Sequence, residues 1–106
     1  MVNNVDRSFR ALGHPVRREI VERLARGPAT VGDATAGLNV SKPAVSKHVK
    51  VLEGAGLLTR EVEGRTHRLR LSEQPLVQAG GWIERQRALW ESKFDTIEDY
   101  LEEERR

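Results

Sequence analysis

Ser41, Lys42, Ser46, Lys47 and Lys50 carry the chemistry this chain offers. Hydroxyls and ammonium groups all donate hydrogen bonds, and each lysine adds a point charge, so together they suit phosphate oxygens and the edges of nucleic-acid bases. A lysine-bearing helix face can serve solubility alone. An ordinary solvated face, however, mixes both signs of charge, whereas Ser41 to Leu52 contains no Asp or Glu.

A helix must hold these groups on one side. Ser41 is placed to N-cap it, and Pro43 falls in the first turn, where its missing N–H costs nothing. Val45, Val49 and Leu52 recur at i, i+4 and i+7 as an apolar stripe, which leaves Lys42, Ser46, Lys47 and Lys50 towards the other side. Gly54 and Gly56 offer positive φ at the C-terminal end, and Leu57-Leu58 opens a new apolar run. The segment reads as a DNA recognition helix.

The run from Thr59 to Leu71 reads as two short strands around a turn at Glu63-Gly64-Arg65, a β-hairpin wing. Leu69 and Leu71 alternate with Arg68 and Arg70 at the strand period of two, so leucines face the helices and arginines face water or phosphate. Arginines also protect sheet edges. A basic helix followed directly by a basic hairpin is more specific than either alone.

The net charge of +2 hides two opposite halves. Residues 1–71 carry 13 Lys/Arg against 7 Asp/Glu, and residues 72–106 carry 5 against 9. A polyanion is attracted to the first part and repelled by the second, the footprint of a nucleic-acid binder with a separate acidic element. The 106 residues fit one domain, expected to span 1–106. Without cysteine there is no disulfide or thiolate site. No apolar run approaches the roughly 20 residues that cross a bilayer, and Met1-Val2-Asn3-Asn4 is polar, so the expected location is the cytoplasm, with no membrane partner.

Upstream, Val5, Phe9 and Leu12 define one side of a first helix, and His14-Pro15 breaks it. A second helix starts at Pro15 with Val16, Ile20, Val21 and Leu24 inward and Arg17, Arg18, Glu19, Glu22 and Arg23 outward, ending at Gly27-Pro28. Thr30 caps a third, short helix to about Gly37, and the chain turns into Ser41. The expected parts are a helix-turn-helix over about 30–55, a wing over about 57–71 and a C-terminal helix over about 75–104. In that last helix Leu76, Ile83, Trp90 and Ile97 recur every seven residues, with Gly80, Arg87, Phe94 and Leu101 at the other seam position. Gly80-Gly81 predicts a flexible joint there. The seam aromatics suit either a partner helix or the domain's own core.

From about Phe9 to Leu101 the chain resembles an ArsR-type winged-helix transcriptional regulator. The resemblance rests on residues 11–20 (Ala-Leu-Gly-His-Pro-Val-Arg-Arg-Glu-Ile), on the segment from Ser41 to Leu52, on Gly56-Leu57-Leu58 and on Glu63-Gly64-Arg65. It implies a mainly α fold with a small β-hairpin and a long C-terminal dimerisation helix. It also implies a homodimeric repressor of an inverted-repeat operator in double-stranded DNA. The resemblance implies Ser41, Lys42, Ser46 and Lys47 near bases or phosphates and Arg65 at the wing tip; with Ala44, His48, Lys50 and Arg68 they make the expected DNA-contact set, and Val5, Phe9, Ile83, Trp90, Phe94, Ile97 and Leu101 are the expected dimer interface. His48 stays open between a contact role and local packing beside the buried stripe.

The places where thiol-based metal sensors of that family carry cysteines match Thr30 and Gly32, and the tail has no histidine. Carboxylates alone, at Asp95, Glu98, Asp99, Glu102 and Glu103, suit a solvated face, so neither metal nor other cofactor is expected. Catalysis finds no support, because the three histidines lie at a helix boundary, in the basic helix and in the wing. The rival is a winged-helix module that binds protein instead of DNA. The inducing signal, small molecule or protein, is not written in the residues.

Overall fold

The computed structural model describes residues 3–106; Met1 and Val2 of the Met1-Val2-Asn3-Asn4 start lie outside them. Five helices and three strands follow in the order α1 (Asn4–Leu12), α2 (Pro15–Leu24), β1 (Ala29–Thr30), α3 (Val31–Thr35), α4 (Lys42–Gly54), β2 (Leu58–Glu63), β3 (Thr66–Leu71) and α5 (Glu73–Arg105). The fold is mainly helical, with a small antiparallel sheet ordered β1-β3-β2.

Ile20, Val21 and Leu24 from α2, Val49 and Leu52 from α4, and Leu57, Leu58 and Leu69 from the wing form one buried core. Each such aliphatic side chain contributes roughly 1.5–3 kcal/mol on burial. The small residues of α1 face inward: Ser8 and Ala11 are fully buried, while Val5 and Leu12 are half-buried and Phe9 is exposed. The core seats α1 on its small residues, which turns Val5 and Phe9 towards its rim.

Several local features depart from the sequence reading. A two-residue strand, Ala29–Thr30, pairs with β3 and adds a third strand to the hairpin. The third helix stops at Thr35 instead of continuing to Gly37, consistent with the low helix propensity of Thr35 and Gly37. Gly54 stays helical, and Gly56 alone takes the left-handed turn after α4, at φ +74°. Its N–H reaches the Glu53 carbonyl and the Leu57 N–H reaches Leu52, closing a Schellman stop with Leu52 and Leu57 both buried.

Arginines expected on the outer face of α2 instead brace its neighbours. Arg17 and Arg18 donate to the carbonyls of Arg10, Ala11 and Leu12 at the end of α1. Arg23 donates to the Ala36 carbonyl just past α3, at 2.6 Å, and pairs with Glu19. Carbonyls left open at helix ends need such donors.

The long C-terminal helix runs unbroken through Gly80-Gly81, with no joint. Ala79 is buried there and the Trp82 ring meets Phe9 of α1 edge-on at 5.6 Å, so packing holds what propensity alone would loosen. From Arg87 onward every residue is exposed. The protomer accordingly measures 73 × 28 × 27 Å.

Candidate nucleic-acid interface

The short α3 and the longer α4 form the helix-turn-helix. Thr30 Oγ1 accepts from the Asp33 N–H at 3.1 Å, and Ser41 Oγ accepts from the Ala44 N–H at 3.3 Å, so both N-termini are capped by the residues the sequence nominated. Val49 and Leu52 are buried and Val45 half-buried, which rolls the opposite side of α4 outward. Ser41, Lys42, Ser46, Lys47 and Lys50 are all exposed, and Ala44 is half-buried beside them. Among the described residues, none of these lysines has a salt-bridge partner. Three ammonium groups without internal neutralisation favour an external anion.

The wing stands beside this face. β2 and β3 pair from Leu58 opposite Leu71 to Glu63 opposite Thr66, and Gly64 turns the tip at φ +60°. Arg65 is exposed at that tip. A cleft of about 600 Å³ lies between α3, α4 and the wing, with Val31, Val45 and Val49 along it and Lys42, Ser46, Arg60 and Arg65 on its walls. Arg68 is not brought into this group. It alternates with buried Leu69, so it lies on the sheet face turned away from α4.

Two ties that the spacing of residues does not reveal hold α4 in place. At its C-terminal end Glu53 pairs with Arg60 of β2, whose Nη1 also reaches His67 Nδ1 at 3.1 Å. At its middle, Arg17 Nη1 donates to His48 Nδ1 at 3.2 Å. His48 is half-buried, with its ring 4.4 Å from that of His14. Burial, then the charges of His14, Arg17 and Lys47, holds the His48 pKa below its ordinary value.

The residues assigned to self-association fall on α1 and α5. Phe9 packs on Trp82, and Val5 is half-buried. Ile83, Trp90, Phe94, Ile97 and Leu101 are each about half exposed, at 51, 57, 57, 52 and 47%. Their own chain therefore does not bury them. Trp90 and Phe94 lie 6.0 Å apart, with the Lys93 ammonium 5.5 Å from the Trp90 ring. At the seam's polar interruption, Arg87 pairs with Glu84 and Glu91, and its hydrogen bonds and charge hold the Glu84 carboxyl below the usual carboxylate range.

Comparison with known proteins agrees with this arrangement. A helix-turn-helix domain family matches residues 12–61. The HTH-type transcriptional regulator Rv2034 of Mycobacterium tuberculosis is 55% identical over 53 residues, an alignment spanning half of each chain. The transcriptional repressor SdpR of Bacillus subtilis is 32% identical over 82 residues, which cover 77% of this chain and 88% of the relative. The crystal structure of an ArsR family transcriptional regulator superposes with a TM-score of 0.79 at 31% identity, over 84% of this chain and 98% of the other. The chain belongs to the ArsR family of transcriptional regulators. Its helix-turn-helix match begins at Leu12 and ends at Glu61 inside the wing, so it includes the whole basic face of α4. As an ArsR-family member the chain is a DNA-binding transcriptional regulator, and no described helix is long and apolar enough to cross a membrane.

Proposed function

We propose that the chain is a homodimeric repressor that recognises an imperfect inverted repeat. The observation that carries this reading is the unpaired lysine face of α4, capped at Ser41 and set beside the wing tip. In this reading α4 is the recognition helix in the major groove, where Ser41, Lys42, Ala44, Ser46 and Lys47 approach bases and phosphates. Lys50 and Arg65 neutralise the flanking backbone, and Arg68 takes no part near the groove. Residues 1–106 act as one DNA-binding unit, located in the cytoplasm. Two copies pair through α1 and α5 along Val5, Phe9, Ile83, Trp90, Phe94, Ile97 and Leu101. No observation favours a purely protein-binding module.

Paired recognition helices reach successive major grooves when they stand about 34 Å apart. Affinity should fall steeply with salt, each neutralised phosphate adding about 0.9 to the slope of log K against log salt. Footprinting on DNA upstream of its own gene, followed by titration against random duplex, tests the reading. A chain that prefers no natural repeat over random sequence is not this repressor.

A further inference from the structure

Arg17 bonds away from its own helix. Its Nε donates to the Ala11 carbonyl at 2.6 Å and its Nη2 to that of Arg10 at 3.2 Å, so the guanidinium closes the last turn of α1. The remaining Nη1 reaches His48 Nδ1 on the recognition helix. A guanidinium only donates, so His48 Nδ1 must present its lone pair and carry its proton on Nε2. His14 is fixed in the same way, because its Nδ1 accepts the Val16 N–H at 3.1 Å. The inner nitrogens of two neighbouring imidazoles thus both face donors. The charged and titratable groups acting on His48 are His14 and Arg17 from the α1–α2 region and Lys47 from its own helix, none of them a carboxylate. From β2, packed against the same helix, the charged Arg60 is bonded to Glu53 and His67.

We propose that His48 is a positioning residue, not a DNA contact: uncharged, it accepts from Arg17 and ties the recognition helix to the end of α1, and a proton on Nδ1 releases that tie. The proposal rests on the reading of α4 as the recognition helix. A proton on Nδ1 turns an acceptor towards a cation and places two positive charges side by side. The other side of α1 meets α5 through Phe9 and Trp82, so the same tie joins the DNA face to the helices assigned to self-association. Specific binding, which needs two helices in register, suffers first. Non-specific attraction to phosphate gains from the extra charge. The two kinds of DNA therefore respond to acid with opposite sign.

The test is fluorescence anisotropy with the footprinted operator and a random duplex at pH 7.5 and 5.5. The proteins are wild type, His48→Gln, His48→Ala and Arg17→Met, each checked for fold by circular dichroism. A glutamine carbonyl accepts from the guanidinium but takes no proton. Wild-type preference for operator over random DNA should fall on acidification, by no more than about a hundredfold per pH unit, the ceiling for the two protons that a dimer's pair of His48 side chains can take up. His48→Ala and Arg17→Met should lose about tenfold of that preference already at pH 7.5. His48→Gln should recover most of the loss and show a flat pH profile. A wild-type preference that holds or rises in acid overturns the proposal, as does a His48→Gln profile that falls like wild type. Absence of any operator preference at pH 7.5 instead refutes the underlying DNA-binding reading, and the proposal with it.

Discussion

Glu53, in the last turn of α4, and Arg60, on the first wing strand, form an ion pair whose side chains are only 32 and 23% exposed. Helix and hairpin are thereby joined by a contact that bulk water does not fully screen, and Arg60 Nε is itself buried without a partner. Replacing Arg60 with Met keeps the apolar stem but strands the Glu53 carboxylate. We expect a loss of about 1–2 kcal/mol in urea unfolding, since hydrogen bonds to charged groups are worth about 1.5–3 kcal/mol when shielded. Amide exchange should accelerate first in Leu58–Glu63. Unchanged wing protection in this variant would mean that the sheet, not the ion pair, holds the wing.

The two basic elements should differ in the kind of energy they supply. Lys47→Ala, on the outward side of the recognition helix, should weaken operator binding more than binding to random DNA. Arg65→Ala, at the Gly64 turn, should weaken both alike and reduce the salt slope by about one unit. Titrations across a salt series separate the two cases, and matching behaviour of the variants would mean that their roles are misassigned.

Operator affinity should depend on Trp90 and Phe94, far along α5 from the basic face. Truncating a buried aromatic costs about 3–5 kcal/mol, enough to separate many small dimers. The double change Trp90→Ala with Phe94→Ala should give a folded monomer by sedimentation and circular dichroism, with operator affinity reduced by orders of magnitude. If the double variant stays dimeric at micromolar concentration, the interface must rest on α1 around Val5 and Phe9 instead.

Acid should also lower stability through His48. Its folded pKa lies below the ordinary 6.5, so between that lowered value and 6.5 the unfolded chain binds a proton that the folded chain refuses. The contribution is complete above pH 6.5 and is lost as pH falls through the folded value. Urea midpoints at pH 7.5 and 5.5 should differ less in His48→Gln than in wild type. Equal differences would trace the acid sensitivity to other groups.

Much of the candidate interface was legible because its signals are local. Ser41, Pro43 and the spacing of Val45, Val49 and Leu52 fix a capped helix and its outward side, and Gly64 between alternating strands fixes the wing. The seven-residue spacing from Ile83 to Ile97 marks a face that its own chain leaves exposed. What stayed hidden depends on contacts across the chain. Arg17 has the spacing of an outward residue, yet its reach to Ala11 and to His48, 31 positions away, exists only once α1, α2 and α4 meet. Ala29–Thr30 is too short to show a strand period and is recruited by the β3 edge. The burial of Ser8 follows from how closely α1 approaches the core, which no apolar spacing announces. Arg68 reads as one more basic residue until the register fixes which side of the sheet it occupies.

The final stretch of α5, exposed from Arg87 to its end, has nothing of its own chain to lie against. These nineteen residues of lone helix are only marginally stable in water, because initiation is costly and each further turn adds little. For a solitary molecule this stretch is then a fraying rod with its tryptophan bare to solvent and open to proteases. If two copies pair along α5 as proposed, coming together and becoming ordered are one event there, and the amount of protein in the cell becomes a quantity that this helix converts into shape.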